Sequence, residues 1–406
     1  MTKKLQPKLR FRGFTDAWEQ RKLGSLGTSY SGLSGKDKTD FGHGSGSYIT
    51  YLNVFQNPIA DIDDTDRIEI DPKQNTVHYG DAFFTVSSET PEEVGMSSVW
   101  LGNQPNVYLN SFCFGYRQNG TFDTKYLAYM LRSRSIRKRM KILAQGISRF
   151  NISQRRVMDI EVSFPSMDEQ RKIGVLCGKL DQLIAAEKRK LSLLEKKKEA
   201  YSRIVFADSR NHKQNGEKRK IVRLGDVATR ITRRNFGQSN LPLTISARDG
   251  LIDQREYFNK QVASKNLNDY TLLRQGEFAY NKSASSDSPW GTIKRLDKYD
   301  QGCVSTLYIC FSIHDIDSQF LTALFDSSQW HSEIQAVATE GARNHGLLNV
   351  SASDFFNMRM RIPVLLSEQE HIGKFFATFK ELTQRVSRKI ELLELRKKAL
   401  LQHMFI

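Results

Sequence analysis

Two stretches of the chain join a glycine to side chains that suit phosphates and base edges. One is Gln145-Gly146-Ile147-Ser148-Arg149-Phe150-Asn151, the other Glu340-Gly341-Ala342-Arg343-Asn344-His345-Gly346. Arginine can grip guanine with two hydrogen bonds, and asparagine can do the same with adenine. Lys36, Lys38, Ser87, Ser88, Arg233, Arg234, Asn235, Arg248, Lys282, Ser283 and Asn349 extend the candidate set. A solvated surface charge explains any single Lys or Arg among them equally well. As a set, in loops at equivalent positions of two repeats, they favour a binding surface.

Catalytic constellations are harder to find. An amino-methyltransferase needs an Asn or Asp followed by Pro-Pro-aromatic, and Asn57-Pro58-Ile59 lacks the second proline and the ring. No G-x-G-x-x-G loop offers to hold a nucleotide-type cofactor. Gly35-Lys36 is followed by Asp37 where a phosphate-binding loop needs Ser or Thr. Glu195-Lys196-Lys197 matches the second half of a nuclease signature, but no proline is followed by Asp to supply the first. The histidines show no metal-ligand spacing, and His331 and His345 read more simply as surface or capped histidines.

The elements that must position these loops occur twice. At a constant offset of 199 the identities include Glu169/Glu368, Gln170/Gln369, Ile173/Ile372, Gly174/Gly373, Leu183/Leu382, Leu194/Leu393 and Phe206/Phe405. Each copy begins at a proline, Pro165 or Pro363, with a capping pattern of Ser166 and Glu169 or of Ser367 and Glu370. Steps of three and four then run over roughly 30 residues, the spacing of a coiled-coil seam. Leu176, Leu180, Leu183 and Leu194 mark the first seam; Phe375, Phe379, Leu382 and Leu393 mark the second. Cations interrupt both at Lys190/Lys389 and Lys197/Arg396. An ordinary long core helix would explain either stripe alone; two in matched register favour a paired rod.

Between the helices the landmarks repeat with an offset that drifts from 194 to 201. Gly80-Asp81 answers Gly276-Glu277, Phe112-Cys113-Phe114 answers Ile309-Cys310-Phe311, and Asn151 answers Asn349. The expected layout is an α+β chain of two pseudo-repeated α/β domains, 1–164 (with a polar arm, 1–20) and 221–362. Long helices follow at 165–208 and 363–406, and 209–220 is a basic linker.

The formal net charge of +16, from 61 Lys+Arg against 45 Asp+Glu, points to a polyanionic partner, usually nucleic acid. Four cysteines without a CxxC pair fit a reduced, cytoplasmic protein. The N-terminus lacks the apolar stretch of a secretory signal, and no window approaches the roughly 18 apolar residues of a membrane span.

In the order and duplication of these motifs the chain resembles the DNA-specificity subunit of type I restriction–modification enzymes. The carriers are Pro165…Glu169-Gln170 and Pro363…Glu368-Gln369, each opening a helix with Leu-Leu-Glu in its second half. With them go Phe14-Thr15-Asp16-Ala17-Trp18, Gly80-Asp81-x-Phe83-Phe84, Gly276-Glu277-Phe278 and Gly146…Asn151-Ile152-Ser153. The resemblance implies two target-recognition domains, each reading one half of a split, asymmetric DNA sequence. It implies an antiparallel pair of long helices acting as a ruler between them. Two methyltransferase subunits would dock on this frame, and two motor-nuclease restriction subunits could join. S-adenosylmethionine, ATP and Mg would then bind the partners, with no cofactor on this chain. A self-contained methyltransferase with a divergent cofactor loop, or a coiled-coil scaffold without nucleic acid, stay open as readings of the residues alone.

Overall fold

The computed structural model describes residues 6–206, 219–247, 249–258, 266–285, 288–338 and 348–406. They form two compact units, Met1–Lys188 with Arg388–Ile406, and Arg189–Ser387. The linker expected at 209–220 lies outside the described residues as far as 218, and Arg219 already begins a strand.

In the first unit a four-stranded antiparallel sheet has the spatial order Gly27–Ser31, Cys113–Gln118, Ala82–Thr85, Ser97–Val99. Its central strand, Ala-Phe-Phe-Thr, is buried on both faces. Ala82 and Phe84 join the main core with Trp18, Tyr126 and Leu127, while Phe83 enters a second core with Val54, Trp100 and Leu109. Apolar side chains at successive positions of a strand point to opposite faces and so demand that both be covered. The helices are α1 (Tyr51–Gln56), α2 (Thr124–Leu131), α3 (Arg134–Leu143), α4 (Gln154–Met158) and α5 (Met167–Phe206). A two-stranded ribbon, Glu19–Lys22 with Glu161–Phe164, leads into α5.

The second unit repeats this plan. Its sheet runs Ala228–Ile231, Ile309–Ile313, Phe278–Asn281, Thr292–Arg295. Phe278 and Tyr280 face one core and Ala279 the other. Its helices are α6 (Gln254–Phe258), α7 (Ser318–Phe325), α8 (His331–Val337), α9 (Ala352–Phe356) and α10 (Leu366–His403). The ribbon Arg219–Arg223 with Arg359–Pro363 leads into α10. Strand pairing corrects one expected equivalence. Ala82 pairs Tyr116 and Phe278 pairs Phe311, so Tyr116, not Phe114, answers Phe311. The two-residue slip went unseen because it leaves every side chain on the same face.

The repeated identities turn out to be a lock. Gln170 accepts from the Asp123 N–H (3.0 Å) and donates to the Pro165 carbonyl (2.9 Å); Gln369 does the same with Asp317 (2.9 Å) and Pro363 (3.0 Å). Asp123 and Asp317 in turn cap α2 and α7, accepting from Tyr126 N and Phe320 N. Both glutamines are buried, so each satisfies a domain's polar backbone and a helix start together. Gly174 and Gly373 allow that approach. A Cβ on Gly174 would lie 2.8 Å from Asp123 Oδ1 and Tyr126 N, and one on Gly373 2.6 Å from Phe320 N.

Two expectations at these helix starts change. Glu169 does not turn back onto the cap; Arg10 grips it with two hydrogen bonds of 3.0 and 2.6 Å. The arm is therefore anchored, and Leu9 N also donates to the His403 carbonyl. Ser367 sits inside the first turn of α10 rather than before it.

In the first unit the end of α10 lies antiparallel to α5: Asp181 pairs with Lys397, Glu187 with Lys389 (2.5 Å) and Lys188 with Glu394 (2.7 Å). In the second unit Tyr201 packs edge-on against Phe375 (5.3 Å), and Phe206 stacks on Phe376 (5.3 Å). The seam keeps the expected Ile173, Leu180 and Val386, but at alternate steps the neighbouring residue is the one turned inward. Ile173, Cys177, Leu180 and Ile184 are buried, whereas Leu183 is 49% exposed. On α10, Phe376, Val386 and Ile390 are buried and Phe375 is 41% exposed. Leu176, Leu194, Phe379, Leu382 and Leu393 are half-buried. The cations expected to break the seam, Lys190, Lys389, Lys197 and Arg396, are exposed beside it, with Leu191 and Ile390 turned inward.

Candidate nucleic-acid interface

In the first unit the glycine loop is closed by reciprocal backbone bonds between Gln145 and Asn151 (2.9 and 2.8 Å). Gly146 has φ +142°, and a Cβ there would fall 2.0 Å from the Arg149 carbonyl, so the turn requires glycine. The tight turn leaves Ile147, Ser148 and Arg149 exposed. Phe150 and Asn151 then pair with Ser88 and Ser87 in a two-stranded ladder.

Beside that ladder lies a cavity of about 440 Å³, bounded by α1, Ser87, Ser88, Glu89, Glu93, Phe112 and Arg149. The Tyr51 and Phe55 rings of α1 stack at 5.8 Å, and the Tyr51 hydroxyl donates to the Ser87 carbonyl (2.8 Å). Burial pushes the Tyr51 phenol up, which keeps it a neutral donor. Glu93 Oε2 accepts from Thr90 Oγ1 (2.8 Å) and Ser88 Oγ (3.3 Å). Phe112 and Leu52 are more than half exposed at the rim. This set covers the vocabulary of base-edge reading: a guanidinium for guanine or phosphate, carboxylates for an exocyclic amine, hydroxyls for either, apolar groups for a methyl. A larger cavity of about 770 Å³ lies elsewhere in the unit, lined by the paired Asp181, Lys397, Lys188 and Glu394.

The structure thus gathers four of the expected residues, Ser87, Ser88, Arg149 and Asn151; Asn151 is exposed on the ladder, outside the cavity lining. It places Lys36 apart, paired with Asp71 (3.0 Å) and mostly covered, and Lys38 exposed in a short turn. In the second unit the Leu348 N–H donates to the Lys282 carbonyl and Lys282 Nζ to the Val350 carbonyl (3.3 Å), so Lys282, the exposed Ser283 and Asn349 are neighbours. Arg343, Asn344, His345 and Arg248 lie outside the described residues.

The loop at 233–235 departs from expectation. Asn235 is fully buried: its Nδ2 donates to the Ser239 and Leu267 carbonyls and its Oδ1 accepts from Ser239 N, so it clamps the loop and has no amide left for DNA. Arg233 is held by Glu277 (2.6 Å), and Arg234 makes an exposed pair with Asp269 (3.1 Å). Glu277 has its counterpart in Asp81, which takes its arginine, Arg117, from another strand at 2.7 Å. Sequence reasoning missed Tyr51, Leu52, Phe55, Glu89, Glu93 and Phe112. The one available signal was the aromatic pair at i, i+4 in a short helix capped by Thr50.

The same buried lock occurs in both units, and the loops expected to carry contacts differ between them in sequence. Residues 15–196 match the family model described as the type I restriction modification DNA specificity domain. A 197-residue stretch is 23% identical to the "Putative type I restriction enzyme MjaX specificity subunit" of Methanocaldococcus jannaschii. That stretch is 47% of this chain and spans about half (45%) of that relative's length. The fold is similar to a crystal structure of the S subunit of a type I restriction–modification system from M. genitalium. The TM-score there is 0.63 at 15% identity, covering 99% of both chains. It is also similar, at TM-score 0.51 and 15% identity over 95% of this chain and 96% of the other, to a chain from work on complex assembly and conformational transition of the type I R-M system. The family match covers somewhat under half of the chain, and the similarity to type I specificity subunits rests on that part. Among the described residues no helix is long and apolar enough to cross a membrane.

Proposed function

We propose that this chain is the non-catalytic DNA-reading subunit of a type I restriction–modification complex in the cytoplasm. Each domain reads one half-site of a split, asymmetric duplex target, and the paired long helices set the distance between the halves. Two methyltransferase subunits dock on the chain and two restriction subunits join them. S-adenosylmethionine, ATP and Mg belong to those partners. The observation that supports this most is the contrast within the repeat. The Gln–Asp–Gly lock recurs in both domains, while the candidate residues above it differ in type, Ser87, Ser88 and Arg149 in one domain and Lys282 and Ser283 in the other. A catalytic domain duplicated for chemistry would keep its functional groups and let the frame drift. The family match is to a specificity domain, which leaves the self-contained methyltransferase without support.

The test is base-resolution mapping of methylation in cells carrying the system, with the wild-type chain and with residues of roughly 20–160 exchanged for those of another family member. One half-site should change and the other persist. If both change together, or if no split motif is methylated, the proposal is wrong.

A further inference from the structure

Two half-buried arginines hold the walls of the first domain's cavity without lining it. Arg132, the residue ending α2, donates from Nε to the Ser97 carbonyl (2.6 Å) and from Nη2 to those of Val54 (2.9 Å), Phe55 (2.9 Å) and Asn57 (3.0 Å). These last are the closing turn of α1, which carries the aromatic wall. Arg137, in α3, donates to the carbonyls of Glu92 (2.7 Å), Val94 (2.7 Å) and Gly95 (2.6 Å), the turn on either side of Glu93. Neither is bonded to a carboxylate. Burial pushes both guanidinium groups down to about 10, which still leaves them cations at neutral pH. A half-buried cation resting only on carbonyl dipoles loses part of its hydration without an anion in return, and its forked planar donors are what a lysine cannot reproduce. Both walls therefore hang from the α2–α3 corner, and α2 is itself locked to α5 through Asp123 and Gln170.

The second repeat has the opposite charge at that point. The residue ending α7 is Asp326, and it grips Lys294 of the strand Thr292–Arg295 (2.5 Å). We propose that Arg132, the residue after α2, together with Arg137, is a positioning residue that fixes the first repeat's reading segment to the common frame, whereas Asp326, at the same place in the second repeat, holds a strand of the sheet itself. The first repeat's reading segment, moved to the second, would then function only if its anchor moved with it. This inference rests on the cavity being the first domain's base-reading surface.

The test uses the full chain in its methyltransferase complex and maps the methylated motif for R132K, R137K, D326N and the cavity-lining variants R149A and E93Q. R132K and R137K should lower discrimination at one or more positions of the first half-site by roughly tenfold, with the second half-site unchanged. That intact half-site shows that the chain has folded and the complex assembled, which a merely structural defect would not leave standing. D326N, which frees a strand of the second unit's sheet, is the control and should leave the first half-site as in wild type. If R149A and E93Q alter the first half-site while R132K and R137K leave it as in wild type, the anchoring role is refuted and the cavity reading stands. If R149A and E93Q also leave it unchanged, the cavity is not the reader and both fall. Relaxation of both half-sites by R132K or R137K also overturns the inference.

Discussion

Replacing Gly174 by alanine sets two effects of known size against each other. On an open helix surface Gly→Ala stabilises by about 1 kcal/mol, because glycine is the poorer helix former. Here the new methyl would lie 2.8 Å from both Asp123 Oδ1 and Tyr126 N, the two ends of the hydrogen bond that caps α2. Separating them forfeits a cap worth about 1 kcal/mol, and forcing helix and domain apart costs a further 1–3 kcal/mol or so. The clash wins by about 1–3 kcal/mol. For a unit of this size a loss of about 2 kcal/mol lowers Tm by roughly 4–8 °C. Gly178, four residues along the same helix, is the internal control: its methyl would meet only the Tyr129 hydroxyl at 3.8 Å. Gly178→Ala should therefore raise Tm by a few degrees, taking about 1 kcal/mol of helix propensity at about 2–4 °C each. Scanning calorimetry of the full chain reads both. A Gly174→Ala protein that melts at or above wild type would show that the close approach does not hold the domain to its helix.

Gln170→Ala should cost about 1–3 kcal/mol, since it strands the Asp123 N–H and the Pro165 carbonyl in the interior; Gln369→Ala should cost the second unit about as much, and urea titration measures each. His331 is half-buried and burial holds its imidazole below the ordinary value of 6.5. The unfolded chain takes up that proton first, so the second unit should lose stability as pH falls through about 6.5, and His331→Gln should flatten the profile between pH 7 and 5. DNA binding by the assembled complex should weaken steeply with salt: contacts to about 6–10 phosphates give a log–log slope of about −6 to −9, and a nearly flat plot would assign the +16 charge to another role. Inserting four residues after Glu187 should add roughly 6 Å of helix and one or two base pairs to the gap between half-sites with both half-sites unchanged; methylation at the original spacing by a folded insertion variant would end the ruler idea.

Most of the frame was legible because it rests on residues whose types have few alternatives. A buried Gln bridging two backbone groups, and a glycine where two backbones nearly touch, recur at a fixed offset in any faithful copy. The residue turned inward at alternate steps of the seam was not legible. Leu176 and Cys177 are both apolar, as are Leu183 and Ile184, so steps of three and four fit the helix equally well from either residue. Only the partner surface chooses, and it takes Cys177 and Ile184. The reading cavity was legible in part. Gly146 and Arg149 stand together in sequence, but Tyr51, Glu93 and Phe112 arrive from segments far apart in the chain. Asn235 shows the reverse error: Arg-Arg-Asn in a polar stretch looks the same whether its amide faces solvent or closes the loop from within.

The drift of the offset from 194 to 201 in the globular parts, against one value along the helices, has a physical reading. The carboxylates of Asp81 and Glu277 hold equivalent places after a glycine, yet one takes its arginine from Arg117 and the other from Arg233. A carboxylate accepts a guanidinium from many directions, so the partner can move to another strand while the buried charge stays neutralised. The turn after α2 or α7 went further and reversed its charge, Arg132 against Asp326, by changing what it holds. No such freedom exists where Gly174 and Gly373 pass within a methyl's reach of a helix N-terminus. Any side chain there meets backbone, and no rearrangement of partners relieves it. The copies therefore stayed alike where sterics and buried backbone polarity admit a single solution, and diverged wherever an ion pair or a loop could be satisfied another way.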